Sequence, residues 1–359
     1  MEKTKFAIIG AGNGGQSFAG HLTLLGYSVS LFDVEKQKVD DLKKTGCINV
    51  TGAVEGNAKI SLITGDIGAA VKGADVIMVI IPTVYQRSIA ISMAPFLVDG
   101  QIIVLNPGAT GGALEVRTAI REAGSKANIT IAETNTLLYA CRSPRAGEAV
   151  IGGIKETVEV AALPATAVSK VVALLNQPFP QYKAVESVLV TSLNNVNAMM
   201  HPAPTILNAG RVECKAPFYY YSEGITPALS KIIEKLDAER LAIGAALGVK
   251  LLTIEQWYKE SYGVTGANLY DLVQNVKAYE GIKGPTTLNT RYIFEDIPTG
   301  LVPLSLLGRA LGVPTSTMNA VVELGNILLG KNFWEEGRSL EKLGLAGKSP
   351  AEIRELVIN

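Results

Sequence analysis

The glycine loop GAGNGG at residues 10–15 constrains the fold of this chain more than any other feature. It follows a short apolar run, Phe6–Ile9, and precedes a helical pattern, Gln16–Leu25. In a Gly-x-Gly-x-x-Gly loop the first glycine permits a tight turn, the second lets a pyrophosphate approach the backbone, and the third lets helix and strand pack closely. The sequence therefore predicts a dinucleotide-binding βαβ unit. The loop residues expected to contact the cofactor are Gly10, Gly12, Asn13, Gly14 and Gly15.

Asp33 indicates which dinucleotide is bound. It ends a second strand-like run, Val29–Phe32, 18 residues after Gly15, where a carboxylate can accept a hydrogen bond from the 2′-hydroxyl of the adenosine ribose. The same carboxylate would repel a 2′-phosphate, and neither Val34 nor Glu35 adds a positive charge to offset it. NAD is therefore predicted rather than NADP. The alternative is a glycine-rich turn in which Asp33 only caps the next helix.

Strand-like and helical segments alternate through the first half of the chain, which is the pattern of a doubly wound parallel sheet. A second helix is predicted over Lys36–Lys44 and ends at Gly46. Two short strands are expected within residues 148–162, followed by a helix from Pro164 to Leu175. The remaining predicted strands are Val76–Ile81, Ile102–Leu105, Ile129–Ile131 and Tyr182–Val185.

The second half of the chain has helical periodicity almost throughout. The sequence therefore predicts an α/β Rossmann domain, with a doubly wound parallel sheet, over residues 1–186 and an all-α domain over residues 187–359. This second domain is expected to complete the active site. Its predicted helices are Val188–Met200, Pro227–Leu247, Ile254–Tyr262, Leu301–Leu311, Ser316–Leu329 and Ala351–Val357.

Charge and composition exclude several classes of partner. Lys plus Arg and Asp plus Glu both number 33, so the chain has no net field for nucleic acid or an anionic membrane. Its longest purely apolar run, Val76–Ile81, is far shorter than a membrane helix, and the N-terminus has no signal-peptide pattern. We therefore expect a cytoplasmic protein that acts on small molecules. The three cysteines, Cys47, Cys141 and Cys214, indicate neither disulfides nor a metal site.

Two loops follow predicted strands at the edge of the sheet where ligands bind in open α/β folds. One begins at Pro82, and the other is the glycine-rich segment at residues 106–112. Pro82, Asn106 and Gly108 are therefore predicted to contact the nicotinamide end of the cofactor. The alternative for the second loop is a plain turn with Thr110 as the N-cap of the next helix.

His201 is the stronger of two histidine candidates for acid–base chemistry, because His21 lies inside the first helix. On the predicted helix Val188–Met200, Asn194 and Asn197 share one face with His201. Polar groups on an otherwise apolar helix need polar partners, which a cleft would supply. Asn197 is therefore a candidate for substrate binding. The alternative is a histidine that only caps the end of the helix.

A second polar cluster, NTRYIFEDIP, occupies residues 289–298. Arg291 could bind a substrate carboxylate through two hydrogen bonds, and Asp296 could orient a histidine. The alternative is that Asp296 caps a helix beginning at Pro298 while Arg291 pairs with Glu295 at i+4. Residue types and spacing alone favour this alternative.

The combined motifs resemble those of the octopine/nopaline (opine) dehydrogenase family over nearly the whole chain. They are GAGNGGQSFAGHL, LNPGATGGALE, ETNTLLYACRS, SLNNVNAMMHPAPTILNA, YYYSEGITP, EQWYKESYG and LNTRYIFEDIPTGLVPL. The resemblance implies a helical domain of the 6-phosphogluconate dehydrogenase C-terminal type. It also implies a catalytic pair at His201 and Asp296, an arginine for the oxo acid at Arg291, and a substrate contact at Thr134.

The implied reaction is an NADH-dependent condensation of an amino acid with a 2-oxo acid, pyruvate by resemblance, to a secondary-amine dicarboxylate. A protonated His201 would assist loss of water from the carbinolamine, and Asp296 would hold the imidazole in one tautomer. The segment Pro217–Tyr221 and Trp257 suit a neutral aliphatic amino acid if they line a pocket, and equally suit a helical core. A homodimer is expected if the helical domain buries apolar faces between subunits.

Two other functions agree less well with the residues. Dehydrogenases of small hydroxy acids or sugar phosphates on a related scaffold generally carry a lysine at the start of the helical domain, whereas residues 184–214 contain none. A non-catalytic NAD-sensing protein would not need His201, Asp296 and Arg291 together.

Overall fold

The computed structural model of the protein describes residues 3–359, which form two compact units. Unit 1 contains the residues up to Thr191 together with Glu355–Asn359, and unit 2 is Ser192–Arg354. The predicted boundary after residue 186 lies shortly before the end of the first segment. Unit 1 is α/β and unit 2 is almost entirely helical, as the sequence predicts. Within residues 3–359, no helix combines the length and the apolar character that crossing a bilayer demands.

Unit 1 contains two β-sheets. Its strands are β1 (Lys5–Ile9), β2 (Ser28–Phe32), β3 (Ile48–Gly52), β4 (Gly56–Ala58), β5 (Leu62–Thr64), β6 (Val76–Val79), β7 (Ile102–Leu105), β8 (Thr130–Thr134), β9 (Tyr139–Arg142), β10 (Glu148–Ile154), β11 (Val158–Leu163) and β12 (Tyr182–Ala184). The larger sheet has the order β12-β11-β8-β7-β6-β1-β2-β5. It is parallel from β5 to β8, whereas β11 runs antiparallel to β8. The doubly wound parallel sheet is confirmed, with two strands of opposite direction at one edge.

The helices of unit 1 flank this sheet. They are α1 (Asn13–Leu24), α2 (Lys36–Thr45), α3 (Ile67–Val71), α4 (Gln86–Met93), α5 (Gly112–Glu122) and α6 (Val168–Leu175), and α7 (Val188–Leu193) continues into unit 2. The predicted end of α2 is confirmed, because Gly46 adopts a left-handed conformation with φ 66° and its N–H bonds to the carbonyl of Leu42.

The smaller sheet, in the order β4-β3-β10-β9, is only partly expected from the sequence. β3 and β4 are five and three residues long and contain Asn, Thr and Gly, so they carry little periodic signal. The sheet contacts α1, where a Cβ added at Gly20 would lie 2.5 Å from Cγ2 of Val50. The missing side chain at Gly20 therefore lets helix and sheet pack together.

Unit 2 is built from short helices around one long helix. They are α8 (Asn197–Met200), α9 (Pro202–Leu207), α10 (Ala209–Glu213), α11 (Pro227–Ala246), α12 (Ile254–Tyr262), α13 (Leu269–Gln274), α14 (Arg291–Phe294), α15 (Val302–Ala310), α16 (Ser316–Leu329) and α17 (Phe333–Glu336), and α18 (Pro350–Ile358) ends in unit 1. The predicted helices that correspond to α11, α12, α15, α16 and α18 are confirmed to within the usual uncertainty of helix ends.

The predicted helix Val188–Met200 is wrong as a continuous element, because the chain leaves the helix after Leu193 and re-enters it at Asn197. The buried guanidinium of Arg240 donates to the carbonyl of Leu193 at 3.0 Å and to Oδ1 of Asn194 at 3.2 Å. These bonds replace helical ones, so the polar face predicted from i, i+3 and i+7 spacing does not form. Pro202 begins α9, directly after His201.

Candidate active site

The glycine loop closes tightly between β1 and α1. Gly10 has φ 105°, a conformation that favours glycine, and a Cβ added at Gly15 would lie 1.6 Å from the carbonyl oxygen of Gly10. At Gly12, by contrast, an added Cβ would meet nothing within 4 Å. The first and third glycines are therefore required by packing. The second leaves open space beside the N-terminus of α1, where an anion is favoured.

Asp33 is buried at the carboxyl end of β2 and holds the glycine loop. Its Oδ2 accepts a hydrogen bond from the N–H of Ala11 at 2.7 Å, and its Oδ1 accepts from the N–H of Glu35 at 2.9 Å. Lys38, which no sequence motif indicates, places its Nζ 3.3 Å from Asp33 Oδ2 and 3.0 Å from Glu35 Oε2. Burial lowers the pKa of Lys38, but its contacts with Glu35 and Asp33 raise it overall. The ammonium of Lys38 therefore places a positive charge beside Asp33, which Val34 and Glu35 do not provide.

Asn13 and Gly14 are joined to the strands that follow β8. Oδ1 of Asn13 accepts a hydrogen bond from the N–H of Ser143 at 2.9 Å. A Cβ added at Gly14 would lie 2.8 Å from Cγ2 of Ile80 and 3.3 Å from a methyl group of Leu137. The side chain of Asn13 thus joins the glycine loop to the backbone at Ser143. Gly14 has to be small, because a side chain there would meet Ile80 and Leu137.

The two predicted nicotinamide loops are linked to each other. Nε2 of Gln86 donates to the carbonyl of Pro107 at 2.8 Å, and a short 3-10 turn follows Pro82. Asn106 is buried just after β7, where its Nδ2 donates to the carbonyl of Val104. Within the part of the chain that the structure describes, Oδ1 of Asn106 has no hydrogen-bond partner. A buried acceptor without a donor is costly, so this atom is suited to a ligand.

Glu133 organises the loop that contains Gly108. Its Oε2 accepts from the N–H of Ala113 at 2.8 Å, and its Oε1 accepts from the hydroxyl of Thr191 at 2.5 Å. A Cβ at Gly108 would lie 2.3 Å from Glu133 Oε2. The N-cap position of α5 is Gly111, without a side-chain cap bond, so the alternative with Thr110 as N-cap is wrong. A carboxylate distant in sequence takes over the capping.

Thr134 follows Glu133 at the end of β8. Its buried hydroxyl donates to the carbonyl of Thr136 at 2.8 Å. Thr136 in turn accepts a hydrogen bond from Nζ of Lys155 at 2.5 Å. The side chain of Thr134 therefore shapes the loop after β8.

His201 and Asp296 lie together in unit 2. His201 occupies the bend between α8 and α9, and its Nδ1 lies 2.8 Å from Oδ2 of Asp296. Burial raises the pKa of the Asp296 carboxyl, and the contact with His201 opposes this shift. The carboxylate accepts the Nδ1 proton, which leaves Nε2 as the nitrogen that can exchange a proton. The pair predicted by the resemblance thus has hydrogen-bonding geometry.

The backbone of His201 is held as firmly as its ring. The carbonyl oxygen of His201 accepts a hydrogen bond from the hydroxyl of Thr205 at 2.7 Å and one from the buried hydroxyl of Tyr220 at 2.8 Å. The Tyr292 ring stacks on the imidazole, with centroids 4.2 Å apart. These contacts fix the direction of both ring nitrogens, and no local sequence pattern predicts them.

Arg291 begins α14 and has a largely exposed side chain. Its Nε forms a short ion pair with Oε2 of Glu295, as the i+4 alternative predicts. Asp296 occupies the N-cap position of the next turn, Ile297–Leu301, without a side-chain cap bond, so that part of the alternative is wrong. Among residues 3–359 the terminal nitrogens of Arg291 make no hydrogen bond. They remain available to an anion.

The asparagines predicted to share a face with His201 are separated by the break in the helix. Asn194 bonds to Arg240, whereas Asn197 begins α8 with an exposed side chain. The prediction of a common polar stripe is therefore wrong.

His21, the second histidine, contacts the Tyr139 hydroxyl through Nδ1 at 2.9 Å, and burial lowers its pKa.

The chain is similar to known proteins over both units. Residues 184–329 match the family model "NAD/NADP octopine/nopaline dehydrogenase, alpha-helical domain", and residues 5–107 match "NAD binding domain of 6-phosphogluconate dehydrogenase". An opine dehydrogenase of Arthrobacter sp. (strain 1C) is 48% identical over 358 residues, with 99% of each chain covered. Octopine dehydrogenase with NADH and L-arginine has a TM-score of 0.83 at 19% identity, covering 99% of this chain and 98% of that one. Octopine dehydrogenase with NADH and pyruvate has a TM-score of 0.80 at 20% identity, covering 95% of this chain and 96% of that one.

Proposed function

The chain belongs to the octopine/nopaline dehydrogenase family, and from this premise we propose that its substrates are pyruvate and a neutral aliphatic L-amino acid. It is an NAD-dependent oxidoreductase that acts on CH–NH donors. The reaction is the NADH-dependent reductive condensation of a 2-oxo acid with the amino group of an amino acid, and its reverse oxidation. The observation that carries the proposed mechanism is the hydrogen-bonded pair of His201 and Asp296.

The residues of unit 1 fit NADH. Open space at Gly12 beside the N-terminus of α1 suits the pyrophosphate, and the carboxylate of Asp33 suits a ribose hydroxyl. The unpaired Oδ1 of Asn106 belongs to the loop that contains Gly108, and Gln86 links this loop to the segment after Pro82. This oxygen suits a donor from the nicotinamide end. When bound, NADH supplies the hydride that reduces the imine.

His201 is the proposed general acid. Asp296 holds the Nδ1 proton, so a proton on Nε2 can be given to the hydroxyl group of the carbinolamine, which then leaves as water. In the reverse direction the same nitrogen accepts a proton as water adds to the imine. Asp296 positions the ring and holds it in one tautomer.

Arg291 is the proposed binding residue for the oxo-acid carboxylate. Glu295 holds Nε, and the terminal nitrogens of Arg291 make no hydrogen bond within residues 3–359. Two parallel hydrogen bonds from the terminal nitrogens would orient the oxo carbon for attack by the amine. The bound pyruvate of octopine dehydrogenase supports pyruvate as this acid.

Asn197 and Thr134 remain predicted substrate-binding residues. Asn197 has an exposed amide close in sequence to His201, which supports direct contact. Thr134 has its hydroxyl committed to Thr136, which supports an indirect role through the loop after β8. The tyrosines at 220, 221 and 292 give the surroundings of His201 an aromatic character, which supports a neutral amino acid.

The homodimer and the cytoplasmic location are also proposals. Leu324, Ile327 and Leu328 form an exposed apolar stripe on α16, which supports association through unit 2. Light scattering after size-exclusion chromatography would give the mass in solution, and a mass of one chain would contradict the dimer.

The reaction is tested by following NADH oxidation with the purified protein, pyruvate and each amino acid in turn. Oxidation that requires both substrates, with a secondary-amine dicarboxylate identified by mass spectrometry, is the expected result. His201→Ala should lower its rate by at least about 100-fold, and His21→Gln is the matched control, since these are the two histidines of the chain. Oxidation by pyruvate alone would instead indicate a hydroxy-acid dehydrogenase.

A further inference from the structure

The hydroxyl of Tyr221 lies beside the proton-exchanging nitrogen of His201. Because Nδ1 is bonded to Asp296, Nε2 faces away from the carboxylate, and the Tyr221 hydroxyl lies 3.4 Å from it. This separation is at the long end of the hydrogen-bonding range. The two groups are therefore close enough to act on one small ligand atom and too far apart to satisfy each other fully.

Tyr221 is fixed by its neighbours. Its ring stacks on that of Tyr279, with centroids 3.7 Å apart and an interplanar angle of 12°. The Tyr220 ring packs edge-to-face against the Tyr221 ring, with centroids 5.0 Å apart, and Nε2 of Gln274 donates to the backbone carbonyl of Tyr221. The residue is only 8% exposed. The position of its hydroxyl is therefore set before any substrate binds, which is the condition for a preorganised donor.

We propose that Tyr221 is a catalytic residue that binds, together with Nε2 of His201, the oxo-acid oxygen that leaves as water. Two donors 3.4 Å apart can both reach one oxygen at about 2.8 Å, the usual length of such bonds. This inference rests on the proposed function, because it assigns a second donor to the same reaction.

The chemistry balances without a further reactant. The amine lone pair forms a C–N bond to the oxo carbon, and the oxo oxygen takes up a proton as the nitrogen loses one. The C–O bond then breaks as His201 gives its Nε2 proton to that oxygen, which leaves as water, and the nitrogen lone pair completes the C=N bond. His201 regains its proton from solvent before the next turnover. Tyr221 donates a hydrogen bond throughout and keeps its proton. Burial raises the pKa of its phenol, which agrees with a group that stays protonated.

Tyr221→Phe tests this role, because phenylalanine keeps the ring that stacks on Tyr279. We expect kcat/KM for the oxo acid to fall about 100-fold, as on loss of one preorganised donor. The KM for NADH and the thermal midpoint should stay unchanged. Tyr279→Phe is the matched control, because its hydroxyl lies next to those of Tyr258 and Tyr262. It should retain activity within about threefold, since it leaves the donor at Tyr221 in place.

A deuterium isotope effect separates this step from hydride transfer. With NADH deuterated at the transferred position, the isotope effect on kcat in Tyr221→Phe should not exceed that of the unaltered enzyme, because dehydration becomes the slower step. A larger effect would overturn the proposal, as would activity within about threefold of the unaltered enzyme or an equal loss in Tyr279→Phe. If the unaltered enzyme shows no oxidation that requires both substrates, the proposed function itself fails, which is a distinct result.

Discussion

Nδ1 of His201 and Oδ2 of Asp296 lie 2.8 Å apart, with both side chains 12% exposed. This contact selects one tautomer of the imidazole and fixes the orientation of the ring. We expect His201→Ala to lower kcat by roughly 10²–10⁴-fold, the usual range for loss of a general acid. Asp296→Asn should lower it by about 10²-fold or more, because the amide can present a donor to Nδ1 and favour the wrong tautomer.

NADH binding distinguishes a chemical loss from a folding loss in these variants. Fluorescence titration with NADH should give dissociation constants within about twofold of the unaltered enzyme, because none of the substituted residues belongs to the glycine loop. Asp296→Asn with full activity would contradict the assigned role of the carboxylate.

Arg291 should determine affinity for the oxo acid. Arg291→Gln is expected to raise the KM for the oxo acid by about 10- to 100-fold, since a charge-assisted pair contributes about 1.5–3 kcal/mol. Arg291→Lys should recover little of this, because an ammonium cannot form two parallel bonds to a carboxylate. Arg309→Gln, at an exposed arginine on α15, is the matched control and should leave the KM unchanged. A raised KM for the amino acid instead would assign Arg291 to the other substrate.

Asp33 should determine the choice of cofactor. In Asp33→Asn the ammonium of Lys38, now 3.3 Å from Asp33 Oδ2, loses one of its two carboxylate partners and can approach a 2′-phosphate. We expect the ratio of kcat/KM for NADPH to that for NADH to rise at least about 10-fold, which corresponds to about 1.4 kcal/mol. The double variant with Lys38→Met should lose this gain. An unchanged ratio in Asp33→Asn would show that selection lies elsewhere.

The parts of the fold that the sequence predicts are those fixed by local patterns. The glycine loop and the end of α2 at Gly46 follow from backbone conformations that glycine favours. The long helix α11 follows from its periodicity and is started by Thr226, whose hydroxyl accepts from the N–H of Leu229. Such signals lie within a few residues of the element that they define.

The features that the sequence does not predict depend on partners far along the chain. Arg240 interrupts the helix after Leu193 from a position 47 residues away. Glu133 caps α5 across 20 residues, in place of Thr110. The contact between Tyr221 and His201 requires the whole turn that joins α10 to α11. The spacing of Asn194, Asn197 and His201 assumes a continuous helix, so it fails where a tertiary bond replaces a helical one.

Glu133 should stabilise unit 1. Its buried carboxylate accepts from the N–H of Ala113 and the hydroxyl of Thr191. We expect Glu133→Ala to lower the free energy of unfolding by about 3 kcal/mol, because both donors lose a buried acceptor. Thr191→Val, which removes one donor, should cost about 1 kcal/mol. Denaturant unfolding measures both values, and equal losses in the two variants would indicate that the bond to Ala113 contributes nothing.

His21 should make unit 1 sensitive to acid. Burial lowers its pKa below the ordinary value of 6.5, so the folded state resists protonation more than the unfolded state. As the pH falls through the ordinary value, the unfolded state binds a proton first, and stability is lost until the lowered pKa of the folded state is reached. The thermal midpoint of the unaltered protein should therefore fall more between about pH 7.5 and pH 5.5 than that of His21→Gln. Identical pH dependence in the two proteins would show that His21 takes up its proton equally in the folded and the unfolded state. The Tyr139 hydroxyl, 2.9 Å from Nδ1, would then hold the charged ring as well as the neutral one.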